Sequence, residues 1–293
     1  MSRPVALLVH PRSGGGRAAR ALPDVLAELG RLGLQVKARE TKSLEHAREL
    51  AVAAAAAGAM VVPFGGDGLI GGVADALRGH PDALMGLLPG GRGNDFARTC
   101  GIPSDPVVAC RILRDGMARP VDLGEVGGRA FAGIASVGID SEANRIANEA
   151  PSALGGAAYV YGALRALVSF KPVSFRLELD GRRYDLPRGW TVAAANSKAY
   201  GGGMLLAPDA SLDDGMLDVV LVSPATRLRF LRGLPKVFRG AHLNLPGITV
   251  ERAREVSIEA DRPLTVFADG DPIAELPATV RVLPGALRMM LPA

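Results

Sequence analysis

The chain has 293 residues and a formal net charge of +4, from 34 Lys and Arg against 30 Asp and Glu. That length exceeds what one hydrophobic core usually supports, so two domains are the default. No apolar run reaches the roughly 20 residues a membrane span needs, and a single tryptophan among few aromatics, with no nucleic-acid-binding motif, argues against a nucleic-acid partner.

The opening stretch, Met1 to His10, enters a strand at once with no signal-peptide apolar block, which predicts a cytoplasmic location. Val5 to Val9 reads as a strand, Arg17 to Leu29 as a helix, Gln35 to Glu40 as a strand, and Ser43 to Ala57 as a helix with Ser43 as N-cap. Ala59 to Phe64 is a buried strand leading into the helix Leu69 to Leu77, and Met85 to Leu88 leads into a short helix at Asn94 to Arg98. Cys100 and Cys110 have no ligand-spaced partners and read as buried thiols. This alternation predicts an α/β domain over residues 1–125 with a parallel sheet and ligands at the carboxyl ends of its strands.

From about Asp122 the pattern changes to short β-rich segments: Arg129 to Ala135, Phe175 to Leu179, Thr191 to Ala195, Leu217 to Val222, Val256 to Glu259, Leu264 to Ala268 and Thr279 to Leu283. Helices are expected at Ala157 to Ser169 and Pro224 to Arg239. Residues 126–293 therefore read as an antiparallel, sandwich-like domain, with the active site expected in the cleft between the two halves. His46, His80 and His242 form no cluster and are expected at the solvated surface.

The chemistry lies in two loops, Phe64-Gly65-Gly66-Asp67-Gly68 and Leu88-Pro89-Gly90-Gly91-Arg92-Gly93-Asn94-Asp95-Phe96. Glycines let the backbone approach phosphate oxygens closely, whereas an aspartate needs a cation between itself and a phosphate. The combination predicts a Mg-nucleotide site. Gly-Gly-Asp-Gly alone is an ordinary turn, but two such loops in consecutive β-α units weaken that reading.

Preceded by His10-Pro11-Arg12-Ser13-Gly14-Gly15-Gly16, the two loops resemble the diacylglycerol kinase catalytic-domain family, specifically its soluble bacterial lipid kinases. Thr41, Val121-Asp122-Leu123-Gly124, the stretch Ala207 to Asp218 and Asp269-Gly270-Asp271 follow in the family's order. The resemblance implies ATP and Mg²⁺ as cofactors. It implies nucleotide contacts from His10, Pro11, Arg12, Ser13, Gly14, Thr41, Gly65, Gly66, Asp67, Gly68, Leu69, Ile70, Gly71, Arg92, Gly93 and Asn94. Asp67 and Asp95, with Asp122 behind them, would hold the catalytic magnesium, and Asp271 would be the general base beside Asp269. A second, structural magnesium would take the carbonyls of Ser211 and Met216 and the side chain of Asp214, where an acidic turn is the plainer reading. The 268–272 stretch also reads as a surface turn.

The chain departs from the family pattern at Leu69 (usually threonine), Gly71-Gly72 (usually asparagine-glutamate), Arg92 (usually threonine) and Asp271 (usually glutamate). Arg92 either clamps a phosphate or pairs with a nearby aspartate. In Arg227 to Arg239, cations interleave with Leu228, Leu231, Leu234 and Phe238, as suits a helix lying on an anionic bilayer or one flanking the sandwich with its arginines in water. The sequence thus predicts a lipid kinase acting on diacylglycerol at the inner face of the cell membrane. A sphingoid-base kinase, an NAD kinase, an inactive lipid- or nucleotide-binding regulator and a homodimer stay open.

Overall fold

The computed structural model describes residues 3–151, 154, 157–223 and 226–293, so Met1, Ser2 and Pro224 of the expected elements lie outside the described residues. The chain forms two compact units, Met1–Leu123 with Pro284–Ala293, and Gly124–Leu283. The second is thus inserted into the first. A division at 125/126 does not anticipate this return, which is fixed by backbone pairing: Met289 pairs in parallel with Met85, and the Gly285 N–H donates to Asp122 Oδ1 at 2.7 Å.

In the first unit the strands Val36–Glu40, Val5–Val9, Met60–Gly65 and Leu84–Met85 lie side by side in that order, with Leu88–Pro89 also on Met60–Gly65. All these pairings are parallel. Val5–Val9 and Met60–Gly65 are buried along their whole length, as strands covered on both faces must be. The register sets Val9 level with Glu40 and Phe64, and Gly65 level with Pro89. His10, Thr41, Gly66 and Gly90 therefore all leave the sheet at the same end.

Helices follow the strands at Ser13–Arg31, Leu44–Ala56, Asp67–Leu77 and Pro106–Asp115. Ser43 caps the second of these by accepting from the His46 N–H at 3.1 Å, a contact worth about 1 kcal/mol. The first helix is formally assigned from Ser13, yet Gly14, Gly15 and Gly16 all have positive φ (60°, 68° and 84°), so regular geometry starts at Arg17 as the sequence predicts.

The second unit is built on two antiparallel sheets. One orders Arg182–Gly189, Val173–Leu179, Glu255–Ala260 and the first part of Ala278–Leu291. The other orders Ile248–Ala253, Leu217–Val222, Thr191–Ala195, Ile134–Gly138, Thr265–Ala268 and Asp271–Glu275. Phe175, Leu177 and Ile258 of the first sheet share a buried cluster with Val137, Val192 and Val219 of the second, which is the sandwich core. On the second sheet's other face, Ala193, Ala195 and Val220 lie under Leu206, Ala207 and Ala210. Helices stand at Ile139–Glu149, Ala157–Ser169 and Arg227–Val237. Among the described residues no helix is long and apolar enough to cross a membrane.

Candidate active site

Three loops close on one another at the carboxyl ends of the parallel strands. The Ser13 hydroxyl accepts from the Gly66 N–H at 3.3 Å, and the Gly90 N–H donates to the Gly65 carbonyl at 2.8 Å. A Cβ on Gly14 would stand 2.6 Å from the Gly90 oxygen, and one on Gly91 only 2.4 Å from the Gly66 Cα. Glycine is thus required at both positions by backbone-to-backbone approach, and at Gly14 also by its φ of 60°. Pro11 and Arg12 make the turn from His10 into the helix, and His10 Nδ1 lies 3.3 Å from Thr41 Oγ1, which hydrogen-bonds the Val9 carbonyl. Asn94, at φ 52°, folds its amide back on Gly91, accepting from the N–H at 2.8 Å and donating to the carbonyl at 3.2 Å.

Asp67 begins the helix that also carries Gly68, Leu69, Ile70 and Gly71 in its first turns. Its Oδ1 accepts from the Phe96 N–H at 3.1 Å, so the carboxylate of the first glycine loop caps the short helix Asp95–Thr99 of the second. Burial pushes the Asp67 carboxyl above its usual range, the charge of Asp95 adds to this, and the Phe96 N–H opposes it. Asp95 is 6% exposed and pairs with Arg98 at 2.6 Å, while Arg98 also reaches the Gly93 carbonyl at 3.4 Å. Arg92 is exposed, and among the described residues no carboxylate pairs with it. The aspartate-pairing role thus falls to Arg98, and Arg17 donates to the Gly91 carbonyl at 3.2 Å. Sequence reading singled out neither arginine; Arg98, three residues after Asp95, carries an i,i+3 signal that could have found it.

Two departures from the family pattern have packing reasons. The Leu69 side chain lies against Gly65, where a Cβ would meet its Cδ2 at 2.7 Å, and Gly72 admits Leu44, whose Cδ1 would be 2.3 Å from any Cβ there. Asp122, 3% exposed, holds Gly285 of the returning strand.

In the second unit, Asp269 and Gly270 form the two-residue turn between Thr265–Ala268 and Asp271–Glu275, with φ of 52° and 92°. Positive φ at both positions is what a type I′ hairpin requires, and Asp-Gly is a preferred pair for it. The Asp269 carboxylate accepts from the N–H groups of Ala132 and Gly133, both at 2.8 Å, so it ties the hairpin to the neighbouring strand. Asp271 is exposed at the start of its strand. His242, in contrast to its expected surface place, is 2% exposed, with Nε2 on the Leu206 carbonyl at 3.1 Å. Cys100 and Cys110 are buried, and burial pushes both thiols up to about 12.

The residues bear differently on the two magnesium sites. Asp67 and Asp95 suit a divalent cation: their carboxylates are close enough for Asp95 to raise Asp67, a repulsion that a cation would cancel. The loop at Ser211, Asp214 and Met216 does not fit as folded. Asp214, the one side chain expected to ligate there, spends one oxygen on the Met216 N–H at 3.0 Å and the other on the Arg252 guanidinium. Asp214 is a single carboxylate with both oxygens engaged, whereas Asp67 and Asp95 are two carboxylates, of which Arg98 engages one. Among the described residues no three His, Cys, Asp or Glu side chains gather as a metal-holding group.

Residues 4–126 match the family profile of the diacylglycerol kinase catalytic domain, and residues 133–291 match that of the YegS C-terminal NAD kinase beta sandwich-like domain. The two matches define the class, a two-domain kinase. The chain is 35% identical to a diacylglycerol kinase of Mycobacterium tuberculosis over 98% of its own length and 95% of the relative's. It is equally 35% identical to a "Probable lipid kinase YegS-like" of Pseudomonas aeruginosa, over 99% and 94%. A crystal structure of a diacylglycerol kinase from Bacillus anthracis shares the fold at a TM-score of 0.77 and 20% identity, covering 99% of this chain and 97% of that one. The chain belongs to the diacylglycerol kinase and YegS-like family of lipid kinases.

Proposed function

We propose that this chain transfers the terminal phosphate of ATP to the hydroxyl of diacylglycerol, giving phosphatidic acid. The observation that carries the reading is the lock between the two glycine loops, in which the Asp67 carboxylate caps the helix that Asp95 begins. A kinase needs phosphates held by backbone N–H groups and carboxylates placed for a metal, and this arrangement supports both. In the reading, the loops at Ser13 to Gly14, Gly65 to Gly68 and Gly91 to Asn94 face the phosphates, Asp67 and Asp95 hold Mg²⁺, and Asp271 accepts the hydroxyl proton. Asp269 positions the hairpin that carries Asp271. When bound, the magnesium neutralises phosphate charge.

The test is transfer of radiolabelled phosphate from ATP to diacylglycerol, a sphingoid base and NAD in parallel. Label entering diacylglycerol with Mg²⁺ and lost with EDTA supports the reading. Label confined to NAD or the sphingoid base replaces the acceptor, and no label anywhere favours a binding regulator.

We further propose that the helix Arg227–Val237 docks at the inner face of the cell membrane. Leu228, Leu231 and Phe238 are exposed among Arg229, Arg232 and Lys236, and Val160, Leu164 and Val168 are exposed on the helix Ala157–Ser169. Apolar side chains ringed by cations suit an anionic bilayer. Replacing Arg229, Arg232 and Arg239 by glutamine is expected to weaken vesicle binding by about 1 kcal/mol per charge; salt-insensitive binding would remove this docking mode.

A further inference from the structure

Arg129 opens the return strand of a hairpin in the second unit. The strands Met117–Val126 and Arg129–Phe131 pair antiparallel with Val126 opposite Arg129, and the residues between them, Gly127 and Gly128, have φ of 59° and 77°. Positive φ at both turn positions suits a pair of glycines, and the tight turn fixes where Arg129 stands. From there the chain runs beside the Asp269 hairpin in the opposite direction. Ser136 lies opposite Phe267 and Ala135 opposite Ala268, Gly133 and Ala132 donate to the Asp269 carboxylate, and a Cβ on Gly127 would meet the Ala274 Cβ at 3.2 Å and the Ile273 oxygen at 3.3 Å. Between those contacts the backbone of Arg129 lies level with Asp271 and Pro272.

The Arg129 side chain is half-buried, and its Nε, shut off from water, has no hydrogen-bond partner among the described residues. Among them no carboxylate pairs with its guanidinium, and Glu125, the nearest carboxylate along the chain, is taken by Arg281. A guanidinium cannot shed its proton, so the charge is present at every working pH. Buried donors are almost always paired, and one on a charged group is the costliest to leave alone. A half-buried cation with an open N–H is therefore a place for an oxyanion, which the guanidinium fork takes through two parallel hydrogen bonds.

We propose that Arg129 is a catalytic residue that binds the phosphoryl group as it joins the acceptor oxygen. The inference rests on the kinase reading, with Asp271 as the base. In that step the acceptor O–H bond breaks and its proton goes to Asp271, a bond forms from the oxygen to phosphorus, and the bond from phosphorus to the ADP oxygen breaks. The oxygen that Asp271 strips is the one that takes the phosphorus. A cation level with Asp271 thus stands on the acceptor side of the phosphoryl group, and it holds that group on the product as well as in the transition state. Asp269, which fastens its hairpin to the Ala132 and Gly133 N–H groups, keeps base and cation at one spacing.

Arg129→Gln and, independently, Arg129→Met remove the fork. With no protein partner to lose, both ligand-free variants are expected to keep the parent's melting temperature, which a structural tie would not allow. Both are expected to lower kcat for phosphate transfer to diacylglycerol at least tenfold, with KM for ATP held within threefold. A second readout needs no turnover: calorimetric titration with dihexanoyl phosphatidic acid, dihexanoylglycerol and inorganic phosphate. Loss of the guanidinium is expected to weaken phosphatidic acid at least tenfold and to leave dihexanoylglycerol within twofold. Unchanged kcat, equal loss of both lipids, or a melting temperature lowered in both variants overturns the proposal. Inorganic phosphate bound by the parent as tightly as phosphatidic acid overturns the acceptor-side assignment. Transfer at the parent's rate in both variants removes Arg129 and leaves the kinase reading standing, whereas a parent that labels no acceptor removes the kinase reading and the catalytic role together.

Discussion

Around Gly66 and Gly91 the first unit has no spare volume, because a single methyl group on Gly91 would stand 2.4 Å from the backbone of Gly66. Beside Asp140 the second unit leaves about 90 Å³ open, and three buried polar atoms there, Asp140 Oδ2, Thr191 Oγ1 and His242 Nδ1, stand against mostly apolar walls. The difference follows the chemistry of the two regions. Phosphate has a fixed shape and is held by backbone N–H groups, which only glycine lets close together. Apolar walls have no directional groups, so a space among them is defined by volume and by the few polar atoms it contains.

The largest expected effect tests the side-chain chemistry. Asp271→Asn is expected to lower kcat by about 10² to 10⁴, the usual worth of a positioned base, with ATP affinity kept. Asp269→Asn keeps one acceptor for the Ala132 and Gly133 N–H groups and is expected to cost less in kcat, showing mainly in thermal stability. If Asp269→Asn is the more damaging in steady-state kinetics, the two roles are exchanged.

Next comes the buried carboxyl of the cavity. Burial lifts Asp140 from 3.8 to about 6. The folded state therefore holds the proton more tightly than the unfolded one, and the ionised carboxylate costs stability above pH 6. Asp140→Asn should raise stability at neutral pH by about 3 kcal/mol, and the gain should shrink as pH falls from about 6 towards 4. Denaturant melts at several pH values check it; a gain independent of pH would remove burial of the charge as the cause.

Gly91→Ala tests the absence of spare volume in the first unit. It is expected to destabilise by about 1–3 kcal/mol and to weaken ATP binding, since backbone must move. An unchanged melting temperature with unchanged KM would show that the loops have slack. The smallest effect belongs to Arg92→Thr. With Asp95 already paired by Arg98, Arg92 remains for phosphate, so KM for ATP should rise more than kcat falls. An unchanged KM would leave Arg92 as a surface charge.

The first unit was the more legible from sequence because its elements are local and periodic. Val5–Val9, Val36–Glu40 and Met60–Gly65 stand within a residue of where their patterns predict. What sequence pattern missed is set by tertiary partners. Arg182–Gly189 is charged and carries Pro187, and only its place at a sheet edge, beside Val173–Leu179, makes it a strand. Ile139–Glu149 is largely polar and was not read as a helix, so Asp140 in its first turn passed unnoticed. The glycine loops announced themselves through composition; the cavity did not, because its residues come from segments far apart in sequence and share no spacing. Arg252, which takes the place expected for a structural cation beside Asp214, was invisible for the same reason.

The return of residues 284–293 to the first unit has a consequence for biosynthesis. A ribosome makes the whole second unit before it makes the strand that pairs at Met289 with Met85 and offers Gly285 to Asp122. Until that strand emerges, the parallel sheet lacks a member and Asp122 lacks the Gly285 N–H, while the second unit can already close on itself. The glycine loops, first to be translated, thus gain the support of that strand last.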